Sequence, residues 1–70
     1  MNIYKSIDLG VAIKQRRKKL GYTQAQLSDI TGLSASFISD LERGKDTAEL
    51  GKALYIANML GLDLIVNERG

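Results

Sequence analysis

The sequence predicts an all-α fold: a compact domain of four to five short helices, ending in one short C-terminal β-strand. Three observations predict it. Apolar residues recur at helical spacing through most of the 70 residues. Proline is absent, and Gly21, Gly32, Gly44 and Gly61 fall where the periodic runs stop. Only residues 62–68 change to alternation, with β-branched residues clustered.

Residues 1–5 form a short arm carrying Ile3, Tyr4 and Lys5. It either folds back on the body, reaches toward a phosphate, or frays as chain ends do. Ser6 is the expected cap of a first helix over residues 7–20, with Leu9, Ile13 and Leu20 inward and Gly21 as its stop. Gly10 costs that helix roughly 1 kcal/mol relative to alanine, so it marks close packing or a fraying start. Lys14, Arg16, Arg17, Lys18 and Lys19 crowd the last two turns. Cations there suit the helix dipole, and they also suit phosphate contact.

Thr23 and Gln26 have the spacing of a capping box, and Tyr22 can staple onto Leu27. Leu27 and Ile30 share a face, and Gly32 ends this second helix. The same logic repeats at once. Ser34 caps a third helix, Leu33 and Ile38 form its staple, Ile38 and Leu41 face inward, and Gly44 stops it. Two start and stop sets with only a few residues between them force a sharp angle. That is a helix-turn-helix arrangement, which can lay its second helix in the major groove of DNA.

Asp46 or Thr47 caps a fourth helix running to about Leu60. Leu50, Ala53, Leu54, Ala57 and Leu60 make its inner stripe. Tyr55, Ile56 and Met59 widen the apolar arc beyond what one core needs, which suggests a partner surface. In the strand, Leu62, Leu64 and Val66 alternate with Asp63, Ile65 and Asn67. A lone strand leaves its backbone unpaired, so the economical solution is pairing with its twin across a homodimer. The organisation is therefore a domain over 1–61, with 62–70 as its dimerisation strand and tail. Tyr55, Ile56, Met59, Leu62, Leu64, Ile65 and Val66 are the candidate dimer contacts.

Bulk properties exclude more than they assign. Seventy residues make one domain near the lower size limit, where oligomerisation often adds stability. There is no Cys and no His, which removes disulfides, thiolate metal sites and the commonest general base. No catalytic constellation and no metal or cofactor site is visible, so no enzyme is expected. No apolar run approaches 20 residues and no export signal is present, so a soluble, cytoplasmic protein without membrane contact is expected. A net charge of +2 does not by itself indicate nucleic acid.

The stretch TQAQLSDITGLSASFISDLERG resembles the helix-turn-helix of the Cro/C1-type (Xre-like) repressor family, which implies a lambda-repressor-like fold. The matching places are Thr23-Gln24, Ser28 after Leu27, Gly32, Ile38-Ser39 and Glu42-Arg43-Gly44; Ser28 stands where alanine is customary. The likeness runs from about Leu9 to Leu60. The ending LGKALYIANMLGLDLIV is similar to that of HipB-like antitoxins. That resemblance implies a repressor of its own operon that also binds a HipA-like kinase toxin. It implies residence on the nucleoid through a palindromic operator.

On a helical wheel of residues 35–43, Ser36, Ser39, Asp40 and Arg43 lie opposite Ile38 and Leu41, with Ala35 near the border. The resemblance makes this the base-reading face. Ser36 and Ser39 discriminate weakly, Asp40 can accept from the cytosine N4 amino group, and Ala35 can meet a thymine methyl. Without Asn or Gln there, part of the specificity falls to DNA shape. Gln24, Thr23 and Lys45 are the phosphate candidates. The resemblance further implies a structural ion pair between Arg17 and Glu42. Two other readings stay open: a stand-alone phage-type or restriction-system regulator, and a toxin-neutralising interaction module with secondary DNA binding.

Overall fold

In the computed structural model, which describes residues Met1–Gly70, helix α1 spans Ser6–Lys19. Its N-cap is Lys5, and Ser6 is already helical, one residue earlier than expected. The reason is Asp8. Its carboxylate accepts from the amides of Tyr4 and Lys5, both at 2.9 Å, and so closes the first turn. Those two hydrogen bonds also hold the Asp8 carboxyl below its ordinary value, against slight desolvation.

Helix α2 spans Gln24–Thr31. Its capping box is complete. The Thr23 hydroxyl accepts from the Gln26 amide at 3.0 Å, and Gln26 accepts from the Thr23 amide at 2.9 Å. Helix α3 spans Ala35–Glu42, with the Ser34 hydroxyl accepting from the Phe37 amide at 3.0 Å. Replacing Thr23 by alanine removes the shared cap. It should cost about 1 kcal/mol of unfolding free energy, read as a lower urea midpoint with an unchanged slope.

The corner between α2 and α3 is tied from inside. Thr31 is buried and donates to the Leu27 carbonyl at 2.8 Å, while its oxygen accepts from the Leu33 amide at 3.2 Å. Ser28 donates to the Leu33 carbonyl at 2.6 Å. These bonds satisfy the buried backbone that a tight turn exposes.

Helix α4 spans Leu50–Met59 and starts later than expected. Its N-cap is Glu49; Asp46 and Thr47 lie in the preceding turn. The inward stripe is Ala53, Ile56, Ala57 and Leu60. Leu50 and Leu54 are exposed, which corrects the expected stripe. The face is rotated because two alanines and one isoleucine let α4 sit close to the core. Ile56 is 0% exposed, so it belongs to the core and not to a dimer surface.

The core joins Ile13, Leu27, Ile38, Leu41, Ala53, Ile56 and Leu60, with Leu9, Leu33, Phe37, Ala48 and Leu62 packed at its edge. Leu20, expected inside, is exposed, and so is Ile30, although spacing puts it on the face of the buried Leu27. The buried line on α1 is instead Gly10, Ile13 and Arg17. Short helices bury only the side that meets α3, and Leu20 and Ile30 lie beyond it. No helix is long and apolar enough to cross a membrane.

The expected C-terminal strand is absent, and there are four helices. Residues 62–70 run on without sheet hydrogen bonds, because a strand needs a neighbour's amides and carbonyls and this chain supplies none. Leu62 turns back on its own helix: its amide donates to the Ala57 carbonyl at 2.9 Å, and its side chain packs on the core. The tail lies beside the N-terminal arm. Residues 1–4 and 63–69 line a common cleft, and the Arg69 guanidinium stands 5.7 Å from the Tyr4 ring centre.

Candidate nucleic-acid interface

Helix α3 packs against α1 and α2, and its remaining side is open. Ile38, Leu41 and Glu42 are buried inward. Ala35, Ser36 and Arg43 are exposed, and Ser39 and Asp40 are half-buried. The five residues of the candidate reading face thus share one accessible side. None is covered by the core.

Its seat is an ion pair. Arg17 Nε donates to Glu42 Oε2 at 2.7 Å, and a second guanidinium nitrogen donates to Oε1 at 2.9 Å. A third arm of the guanidinium donates to the Tyr22 carbonyl at 2.8 Å. Gln24 Nε2 adds a 3.1 Å bond to Glu42 Oε1. One carboxylate therefore joins α1, α2 and α3. Side-chain exposure is only 8% for Arg17 and 2% for Glu42, so the bidentate geometry must offset real desolvation. Burial alone would raise the Glu42 carboxyl. The hydrogen bonds from Arg17 and Gln24 overcome it and hold the group below its ordinary value. The same bond raises the Arg17 guanidinium.

Two glycines bring α1 against the end of α3. A Cβ on Gly10 would lie 2.4 Å from the Leu41 carbonyl oxygen and 2.8 Å from that of Glu42. Gly44 has φ +84°, and a Cβ there would fall 2.6 Å from Ile7 Cα. Both contacts are with backbone, which cannot swing aside.

The candidate phosphate ligands sit at the flanks. Gln24 is half-buried with one amide hydrogen used on Glu42, which leaves the other free. The Thr23 hydroxyl is engaged in the cap. Lys45 is exposed and stands 3.4 Å from Asp40. The basic run of α1 divides. Arg17 is structural, Arg16 donates to the Leu60 carbonyl at 2.8 Å and ties down the end of α4, and Lys14, Lys18 and Lys19 are exposed. Sequence reasoning missed Arg16, Thr31 and Ser28 as tethers. A signal existed for Thr31 alone: a hydroxyl residue one position before a helix-ending glycine. Lys52 was missed too; its ammonium lies 5.7 Å from the Phe37 ring centre.

The family model described as helix-turn-helix matches residues 13–66. The chain belongs to the helix-turn-helix family of Cro/C1 (Xre-like) type. It is a helix-turn-helix DNA-binding regulator. An uncharacterized HTH-type transcriptional regulator, y4mF, of Sinorhizobium fredii (strain NBRC 101917 / NGR234) is 37% identical over 57 residues, 81% of this chain and 75% of the relative. The ImmF control region 10 kDa protein of Bacillus phage phi105 is 33% identical over 58 residues, 83% of this chain and 64% of that protein. Among solved structures, a HipB–O4 20mer complex matches with a TM-score of 0.88 and 27% identity, covering 100% of this chain and 99% of that one. A HipA–HipB–O2–O3 complex matches with the same values. The α2–α3 corner is this family's helix-turn-helix, and here Arg17, Gln24 and Glu42 join its two helices to α1.

Proposed function

We propose that this chain is a sequence-specific repressor that binds a palindromic operator as a homodimer, and that it is the antitoxin of a HipA/HipB-type operon. One observation carries the reading: full-length structural likeness, at TM-score 0.88, to HipB in complex with DNA. The likeness includes the tail beyond the helix-turn-helix, and a second match comes from a complex that also contains HipA.

In this reading α3 enters the major groove. Ser36 and Ser39 meet base edges, Ala35 meets a thymine methyl, and Arg43, at the end of the helix, meets the phosphate backbone. Gln24, Thr23, Lys45 and the first amides of α2 fix the register on phosphates. Tyr55, Met59, Leu64, Ile65 and Val66 offer an exposed apolar surface to a second copy; Ile65 and Val66 are 76% and 95% exposed. A kinase toxin of the HipA kind is the further partner, and the protein would repress its own operon.

The test is protection of DNA upstream of its own gene. Two protected half-sites one helical turn apart, about 34 Å, are expected. If a dimer engages about six phosphates, log K should fall with log salt at a slope near −5. Equal affinity for the upstream DNA and a scrambled duplex would refute sequence-specific repression. Co-purification of a kinase encoded beside the gene separates the antitoxin from a stand-alone regulator. The likeness to the phage phi105 control-region protein favours that second reading, which shares the same DNA-binding face.

A further inference from the structure

The end of α3 carries two cations and one acid that form a closed group. Asp40 Oδ1 accepts from Arg43 at 2.7 Å, and Oδ2 stands 3.4 Å from Lys45 Nζ. Both carboxylate oxygens are used. The turn at Gly44 enforces the arrangement, because the Lys45 amide donates to the Asp40 carbonyl at 3.0 Å. The backbone thus holds the main chain of Lys45 beside Asp40, within reach of its side chain. The acid sits behind its partners: side-chain exposure is 29% for Asp40, 72% for Arg43 and 55% for Lys45.

We propose that Asp40 is an internal phosphate mimic, a latch that occupies Arg43 and Lys45 in the DNA-free protein and attenuates their affinity for the DNA backbone. This deepens the reading of α3 as the DNA-facing helix and rests on it. A phosphate approaching Arg43 or Lys45 competes for their charge with a carboxylate of like sign already placed beside them. The contacts are exposed and screened by salt, so a duplex can open them, at a cost in affinity. The hydrogen bond from Arg43, with the charge of Lys45 behind it, keeps the acid ionised despite slight desolvation. The carboxylate's charge opposes an approaching phosphate whatever base lies beside it. The latch therefore acts on every duplex alike and contributes little to base choice.

The experiment compares wild type with Asp40→Asn on a mixed-sequence 20-base-pair duplex and on DNA from upstream of the gene, across a salt series. Asp40→Asn should bind both more tightly by a similar factor, roughly two- to tenfold. Its salt dependence should be steeper, because in wild type rising salt also weakens the competing ion pairs. In an Arg43→Gln/Lys45→Gln background the gain from Asp40→Asn should vanish, since nothing remains to be released. A gain that persists there would show simple repulsion between Asp40 and phosphate, and would overturn the latch. A changed base preference in selection from a randomised duplex library would make Asp40 a reader and overturn it as well. Wild-type binding with no gain in Asp40→Asn defeats the latch alone, whereas no wild-type binding to either duplex defeats the DNA reading with it. Circular dichroism checks the fold, and Asp40→Ser supplies a second neutral variant.

Discussion

Arg17→Ala and Glu42→Ala should each destabilise the domain by about 3–5 kcal/mol, and the double variant should lose less than the sum. Each single change strands a charge that is nearly inaccessible to water. Glu42→Ala also frees the Gln24 amide and leaves Arg17 with only the Tyr22 carbonyl. A 70-residue domain has on the order of 3–10 kcal/mol in total, so the single variants approach the unfolding threshold. Urea midpoints of the three variants check this; additive losses would show that the two side chains act independently.

The same pair predicts a pH response. Glu42 is held below its ordinary value of 4.5 in the folded protein. Its contribution is therefore present above that value and lost as pH falls through the lower folded value. Unfolding free energy measured between pH 7 and pH 3 should decline at the acid end. Glu42→Gln should remove one carboxylate's share of that decline. Asp8 and Asp40, whose carboxyls are also lowered, act in the same direction and remain in the variant. Arg17 stays charged throughout and adds no slope in this range.

Gly10→Ala should produce the second large effect, and its sign runs against helix propensity. Alanine in a helix interior is worth roughly 1 kcal/mol over glycine. Here its methyl would lie 2.4 Å from a carbonyl oxygen of α3, and overpacking against backbone costs about 1–3 kcal/mol. The clash wins because neither helix can relieve it by a rotamer change. α1 must withdraw from α3, and Arg17, two turns along the same buried line, withdraws with it. DNA affinity should fall further than stability does, since α3 then loses its fixed angle to α2. Denaturation and duplex titration on one preparation check this. A variant as stable as wild type with unchanged affinity would show that α1 does not position α3.

Much of the fold is legible in single residues. The caps Thr23 and Ser34 and the glycine at 32 mark their helix ends because capping is local: a hydroxyl reaches an amide three residues on, whatever surrounds it. Ile13, Leu27, Ile38 and Leu41 are legible as core for a related reason, since spacing alone puts them on one side. The outward side of α3 follows from the same wheel. That this side would meet DNA is what the resemblance implies, and the family match supports the resemblance.

The misreadings share one cause. Which of several apolar faces is buried depends on what packs against it, and that partner is remote in sequence. Leu20, Ile30, Leu50 and Leu54 are as apolar as the residues that were buried, yet this chain leaves them partly exposed. Gly10 and Arg17 carry the α1 contact with α3 although neither contributes apolar character to a periodic pattern. Ile56 became core because Ala53 and Ala57 flank it and permit close approach. The strand failed because pairing is a property of two segments, and alternation in one of them supplies only half.

By itself the sequence determined the starts of α2 and α3, the stop of α2 at Gly32 and the polar side of α3, because these depend on contacts within a few residues. Only the tertiary structure decided that Glu42 links three helices, that Arg16 anchors α4, and that Gly10 is the point of closest approach. Those facts depend on distances between residues tens of positions apart, which no local pattern encodes.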